Sequence, residues 1–226
     1  MLAELSRALV AEADSFSVER LVVEDNVLGK ATMSGRLLSL QRLRELYGLD
    51  LNVPLFRILT ELWKREPRAL PQLALLAALA RDPLLRVAAR PILALPIGGD
   101  LARDEVRDAL LSTVGTRLSP ATLDKVVRNV ASSWFQSGHL KGRTFKKRRR
   151  IEATPAALAF ALWLAQAAGF VGDALLSNGW VEPLDLDQDG IRALLERVRA
   201  AGLVDVRPLG ARLEIDASRL LTQAAA

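Results

Sequence analysis

Cysteine is absent from this chain of 226 residues, and histidine occurs once, at His139. The first absence excludes disulfide frameworks and thiolate metal sites, and fits a reducing cytoplasm. The second excludes multi-histidine metal centres and leaves one residue around which a Ser–His–acid set would have to form, with no plausible partners. No phosphate-binding Gly-x-x-x-x-Gly-Lys loop and no Gly-x-Gly-x-x-Gly turn occurs. The sequence therefore predicts a protein that is not an enzyme and has no cofactor. The N-terminus, MLAELSRALVAEAD, carries acids early and lacks an apolar stretch of signal-peptide length. One long uncharged run exists, Pro155 to Gly172, but it is alanine-rich and contains Gln166 and Gly169. As a helix it would reach about 26 Å, slightly short of a bilayer core, so a buried core helix is the expectation.

What is present is a large apolar fraction, half of all residues, which supplies a substantial core in one large domain or two small ones. Charged residues are ordinary in number, which argues against disorder. The formal net charge is +5, yet nine Lys or Arg and no acid fall between Lys125 and Ile151, leaving the remainder net acidic. Basicity so localised favours a binding surface.

That stretch organises the reading. Ser119 is a helix N-cap and Pro120 suits the first turn. Leu123, Val126, Val127, Val130, Ala131 and Trp134 follow the rhythm of a helix with one buried face, and Gly138 stops it. The opposite face carries Thr122, Lys125, Arg128, Asn129, Ser132, Ser133 and Gln136. Beyond it come Lys141, Arg143, Lys146, Lys147, Arg148, Arg149 and Arg150. A cationic helix face followed by a cationic loop or hairpin suits a duplex phosphate backbone. The Lys and Arg side chains would neutralise phosphates, and the amides of Asn129 and Gln136 can pair with adenine edges. Thr122, Lys125 and Arg128 lie towards the helix N-terminus, where recognition helices make base contacts. Trp134 continues the apolar stripe and is expected in the core, whereas Phe135 and Phe145 are open. His139 is expected to contact phosphate or to be a plain loop residue.

Along the chain, Leu2 to Ala13 predicts a short amphipathic helix, Arg20 to Asp25 is ambiguous, and Asn26 to Gly29 is a turn. Thr32 or Ser34 caps a helix to Tyr47 with a stripe at Leu37, Leu40, Leu43 and Leu46, ended by Gly48. A helix over Pro54 to Arg65 follows, then a helix buried on all sides over Gln72 to Ala80. Asp82 caps a short helix from Leu84 to Arg90, and Pro91 and Pro96 bracket a further apolar segment. Gly98-Gly99 marks a boundary, and Asp100 caps a helix through Thr113. Helix, short turn, basic helix and basic loop is the order of a helix-turn-helix with a wing. A similar layout recurs after Asp173. Asp187 or Asp189 caps a helix with Ile191, Leu194, Leu195 and Val198 inward, Gly202 stops it, and strands at Leu203–Arg207 and Ala211–Asp216 flank a turn at Pro208-Leu209-Gly210. The tail after Leu220 is expected to fray.

Asp185, Asp187, Asp189, Gly190 and Glu196 match the spacing of a calcium loop. Pro183 and Gly179 interrupt the helix that should enter it, Arg192 stands where an aliphatic residue belongs, and no second loop pairs with it. An aspartate-rich helix N-terminus is the simpler reading, with no metal site expected.

Three stretches, LGKATMSGRLLSLQRLRELYG at 28–48, LDKVVRNVASSWFQSGHLKG at 123–142 and GWVEPLDLDQDGIRALLERVRAAGLVDVRPLGARLEID at 179–216, resemble the small helical DNA-binding protein of bacteriophage exclusion (BREX) defence systems. The resemblance implies a cytoplasmic, mainly helical DNA-binding accessory without catalysis of its own, with other defence-system proteins as partners. It assigns no residue-level role. The combined expectation is a mainly α protein. Residues 1–98 would form an N-terminal helical domain, 99–153 a basic winged-helix-like unit, and 154–226 a core helix with a second winged-helix-like unit, each unit carrying a short β-hairpin. The alternatives are an all-helical bundle for the fold and, for function, a protein–protein adaptor that makes no contact with nucleic acid or a peripheral protein using Lys146–Arg150 against anionic lipid. The leading expectation is binding to double-stranded DNA, with no membrane association.

Overall fold

The computed structural model describes residues 2–11, 18–209 and 212–223. Among them the chain is mainly helical, with two short antiparallel sheets of two strands each, both in the C-terminal half.

In the N-terminal half, α1 (Leu2–Ala11) packs on α2 (Val18–Val23), and α2 on α3 (Met33–Tyr47). Glu12 and Ala13, expected to continue the first helix, lie outside the described residues. Thr32 caps α3 by accepting the Gly35 N–H at 3.1 Å, and Gly48 ends it at φ 88°. Leu40 and Leu43 are buried as expected, but Leu37 is 50% exposed, with Met33 and Leu38 exposed beside it. A spacing of three residues drifts by about 60° per step around a helix, which carries Leu37 off the buried stripe.

Two helices with almost no polar side chains form the centre. α4 (Pro54–Arg65) leads through a 3₁₀ turn at Pro67–Ala69 into α5 (Leu70–Arg81), which is buried nearly all round and touches α1, α3 and α4. The uncharged run from Pro155 supplies the second central helix, whose inward packing on α4 and α5 joins both halves in one apolar core. Buried Gln72 ties the two: its Oε1 accepts the Thr154 N–H and hydroxyl, each at 3.1 Å, while its Nε2 donates to the Glu152 carbonyl. Polar groups this deep are tolerated because each finds a partner.

The expected helix from Leu84 to Arg90 is instead two pieces, α6 (Pro83–Val87), capped by Asp82, and α7 (Ala89–Leu93). Pro91 lacks the N–H that would bond to the Val87 carbonyl, so the ladder breaks there. Gly98-Gly99, expected to mark a boundary, belongs to a strand-like segment: the Gly98 N–H donates to the Arg148 carbonyl at 2.9 Å, and the Arg148 N–H to the Gly99 carbonyl at 2.8 Å. A Cβ on Gly99 would stand 2.9 Å from the Pro96 carbonyl oxygen, so only glycine fits that bend. Asp100 does not cap the following helix. It bridges to Lys147 instead, and α8 (Arg103–Val114) begins after Ala102.

A 3₁₀ turn at Gly115–Arg117 connects α8 to α9 (Pro120–Gln136), followed by the hairpin of β1 (Leu140–Lys141) and β2 (Lys147–Arg148). The central apolar helix is α10 (Pro155–Ala167). Among the described residues no helix is long and apolar enough to cross a membrane. After 3₁₀ turns at Gly172–Leu175 and Glu182–Leu184 comes α11 (Gln188–Ala200), capped by Asp187. It packs on α10 and leads to β3 (Asp205–Leu209) and β4 (Arg212–Asp216). Pro208 and Leu209, expected in the turn, pair with Leu213 and Arg212 as the end of β3, a position open to proline in a sheet made only of edges. Gly210 lies outside the described residues. Of the tail expected to fray, Leu221 to Gln223 continue α12 (Arg219–Gln223), anchored by buried Leu220, and residues 224–226 lie outside the described residues.

Candidate nucleic-acid interface

The local sequence explains why α9 presents a polar face. Ser119 Oγ accepts the Thr122 N–H, Pro120 occupies the first turn, and Leu123, Val127, Val130, Ala131 and Trp134 are buried. Thr122, Lys125, Arg128, Asn129 and Ser132 are consequently exposed on the other side. Gln136 departs from its expected role. Its Oε1 accepts the Ala3 N–H at 3.0 Å and so holds α1 against α9, while its Nε2 donates to Ser132 Oγ at 2.9 Å within α9, so both ends of the amide have partners inside the protein.

The hairpin sorts the basic run by strand alternation. Leu140 pairs with Arg148 and Lys141 with Lys147. The first pair faces inward and the second outward. Arg148, expected on phosphate, is therefore a core residue, only 2% exposed. Its guanidinium pairs with Asp185, and its Nη1 donates to the Arg149 carbonyl at 2.5 Å. The second Asp185 oxygen accepts the Ile151 N–H at 3.1 Å. Asp185 itself ends a 3₁₀ turn in the left-handed region at φ 55°. This buried pair clamps the hairpin to the segment before α11.

His139 is also internal, which corrects its expected phosphate or loop role. Its Nε2 lies 2.6 Å from the Pro183 carbonyl, its Nδ1 2.8 Å from Ser137 Oγ, and its ring meets Trp134 edge-on at 4.8 Å. A carbonyl only accepts, so Nε2 carries the proton and Nδ1 is the accepting nitrogen, facing a Ser137 hydroxyl that also has the Trp134 carbonyl at 3.0 Å as an acceptor. Burial disfavours the imidazolium and pulls the pKa down to about 4.

The remaining cations gather around a cleft. Between the hairpin tip, α9 and the start of α8 lies a cavity of about 530 Å³, lined by Leu101, Arg103, Arg128, Ala131, Phe145 and Lys146 among others. Lys146 Nζ sits 4.2 Å from the centre of the Phe135 ring and 3.3 Å from the Gly142 carbonyl. Lys147 is 3.5 Å from Asp100, and Arg149 donates to the Gly138 carbonyl at 3.1 Å. Lys125, Arg128, Lys141, Arg143 and Arg150 make no ion pair among the described residues. Elsewhere Lys30, Arg44, Lys64, Arg68, Arg107 and Arg219 face carboxylates, whereas Arg42, Arg90 and Arg197 make no ion pair among the described residues either. The sequence reading missed Arg103. It stands far from the basic run, and only the strand-like pairing of residues 98–101 with β2 brings it to the cleft.

The carboxylates with calcium-loop spacing have other partners. Asp185 faces Arg148, Asp187 accepts the Gly190 N–H at 2.8 Å, Asp189 meets Arg192 and Glu196 meets Arg199. Among the described residues no three acidic or histidine side chains converge. Comparisons with protein-family models, with curated proteins and with solved structures found no match.

Proposed function

We propose that the chain is a non-enzymatic accessory protein that binds double-stranded DNA through a winged-helix unit, with α9 as the recognition helix and the β1–β2 hairpin as the wing. The order of elements supports this reading: a helix (α7), the strand-like segment 98–101, α8, α9, then two strands, with the first segment hydrogen-bonded to the last. The segment from α10 to β4 keeps a helix followed by a less basic hairpin, but has 3₁₀ turns at Gly172–Leu175 and Glu182–Leu184 where α8 would stand; we read it as a protein-facing unit.

The observation that carries the proposal is the row of cations without internal partners on α9 and the wing. Lys141 stands directly opposite Lys147, an arrangement that costs stability in a sheet. Asp100 meets Lys147 at 3.5 Å, so Lys141 is the member of this pair whose charge is left to an external polyanion. The resemblance of residues 28–48, 123–142 and 179–216 supports a role in bacteriophage exclusion defence, in the cytoplasm and beside other defence proteins. Fluorescence anisotropy with duplex DNA, single-stranded DNA and RNA at two salt concentrations tests the binding. Duplex affinity that falls steeply with salt is expected; absent or salt-insensitive binding would refute it.

A second reading, a protein–protein adaptor without nucleic-acid contact, is favoured by the exposed Met33, Leu37 and Leu38 on α3. In that case duplex affinity is absent, and replacing Leu37 and Leu38 by serine abolishes partner capture.

A further inference from the structure

The wing tip carries a side chain that neither the core nor the electrostatics explains. Phe145 is 78% exposed, the highest value among the large apolar side chains described. An aromatic ring held in water at a hairpin tip is unfavourable, and Phe145 lies outside the apolar core, on the edge of the cleft. Its position is nevertheless fixed. Gly142 turns the chain at φ 100°, where any Cβ would collide with the Phe145 carbonyl, and Lys146 Nζ donates back to the Gly142 carbonyl. The Leu101 N–H donates to the Lys146 carbonyl at 2.7 Å, and two residues further on the Arg148–Asp185 pair anchors the strand in the interior. The tip is a braced projection, flanked by the cations Lys141, Arg143 and Lys146.

The cleft it edges is lined by the apolar Leu101, Ala131 and Phe145, by the cations Arg103, Arg128 and Lys146, and by Asp100, whose carboxylate is met by Lys147 at 3.5 Å. Those surfaces match the two parts of a nucleic-acid strand: deoxyribose against the apolar side chains, phosphate against the cations. With α9 in the major groove, a strand seated in the cleft leaves Phe145 on its far side, at the neighbouring minor groove. We propose that Phe145 is an apolar wedge that enters the minor groove of duplex DNA between two base pairs, partly unstacks them and bends the duplex. The proposal rests on the DNA-binding reading above. Apolar side chains inserted at base steps kink DNA towards the major groove, and pyrimidine–purine steps such as TA yield most readily. The wedge therefore gives the protein a preference for deformable steps that needs no hydrogen bond to a base.

The test uses the full chain and a duplex containing TA steps, with 2-aminopurine replacing adenine at one step and a donor and acceptor dye at the ends. Wild type should raise 2-aminopurine fluorescence and bring the ends closer. Phe145→Ala should lose both signals while still binding, more weakly, with its salt dependence unaltered; Phe145→Leu, which keeps an apolar wedge, should retain them. Equal signals from wild type and Phe145→Ala, or binding by wild type without either signal, would overturn the wedge and leave the DNA-binding reading standing. Failure of wild type to bind the duplex at any salt concentration would overturn both.

Discussion

Replacing Asp185 should unfold the protein far more readily than replacing any exposed cation of the same hairpin. The Arg148 side chain is 2% exposed and that of Asp185 11%, so neither charge has water to fall back on. Asp185→Ala leaves the guanidinium with only the carbonyls of Arg149 and His139, removes the acceptor of the Ile151 N–H, and places a Cβ-bearing residue without a local polar side chain at φ 55°. Removing one partner of a buried pair costs about 3–5 kcal/mol, and the left-handed backbone adds about 1 kcal/mol. Asp185→Asn keeps the Ile151 acceptor and tolerates the backbone, so its loss should be smaller. Arg148→Met should cost less than Asp185→Ala, because the Asp185 carboxylate keeps the Ile151 N–H as a donor. The double variant Arg148→Met/Asp185→Asn should cost less than the sum of the singles, since the two residues interact directly. Urea unfolding followed by circular dichroism reads these differences as shifts in midpoint. A midpoint for Asp185→Ala equal to wild type would refute the buried clamp and return Arg148 to the surface.

The buried histidine gives a pH signature. The unfolded chain protonates His139 below about 6.5, whereas the folded chain keeps it neutral to about 4, so stability should fall as pH drops through that window, by on the order of 3 kcal/mol, and His139→Gln should remove this contribution. Thermal melts at pH 7, 5.5 and 4.5 check the slope; identical slopes for wild type and variant would contradict it. On α9, Asn129→Ala should cost about 1–3 kcal/mol on a preferred duplex and little on random DNA, whereas Gln136→Ala should lower stability by freeing α1 and leave discrimination unchanged. Competition anisotropy and urea unfolding separate the two.

The sequence displayed the helices that open on a proline and carry a long apolar stripe or run. Ser119-Pro120 and the stripe from Leu123 to Trp134 delimit α9, Pro54 begins α4, and the alanine-rich run from Pro155 forms the central helix. It also displayed the cationic face of α9. It hid whatever depends on distant partners. The cations from Lys146 to Arg150 form one continuous run in the sequence, but strand alternation turns Arg148 inward, to an aspartate 37 residues away. The amide of Gln136 meets the backbone of Ala3, and His139 meets the Pro183 carbonyl, pairings that no local periodicity encodes. Gly98-Gly99 carries the composition of a linker, yet its backbone completes the hairpin, because paired strand segments leave no local signature in two glycines.

On the DNA-binding proposal, unpaired cations on α9 and the wing neutralise DNA phosphates. Lys125, Arg128 and Arg143 are exposed and free of ion pairs among the described residues, so replacing all three by glutamine should leave the fold intact. The measurement is the dissociation constant for a labelled duplex as a function of salt, for wild type and the triple variant. Each phosphate that is no longer neutralised should flatten the log–log slope by about 0.9, up to about 2.7 for all three. A slope unchanged from wild type, with the variant folded, would contradict the account.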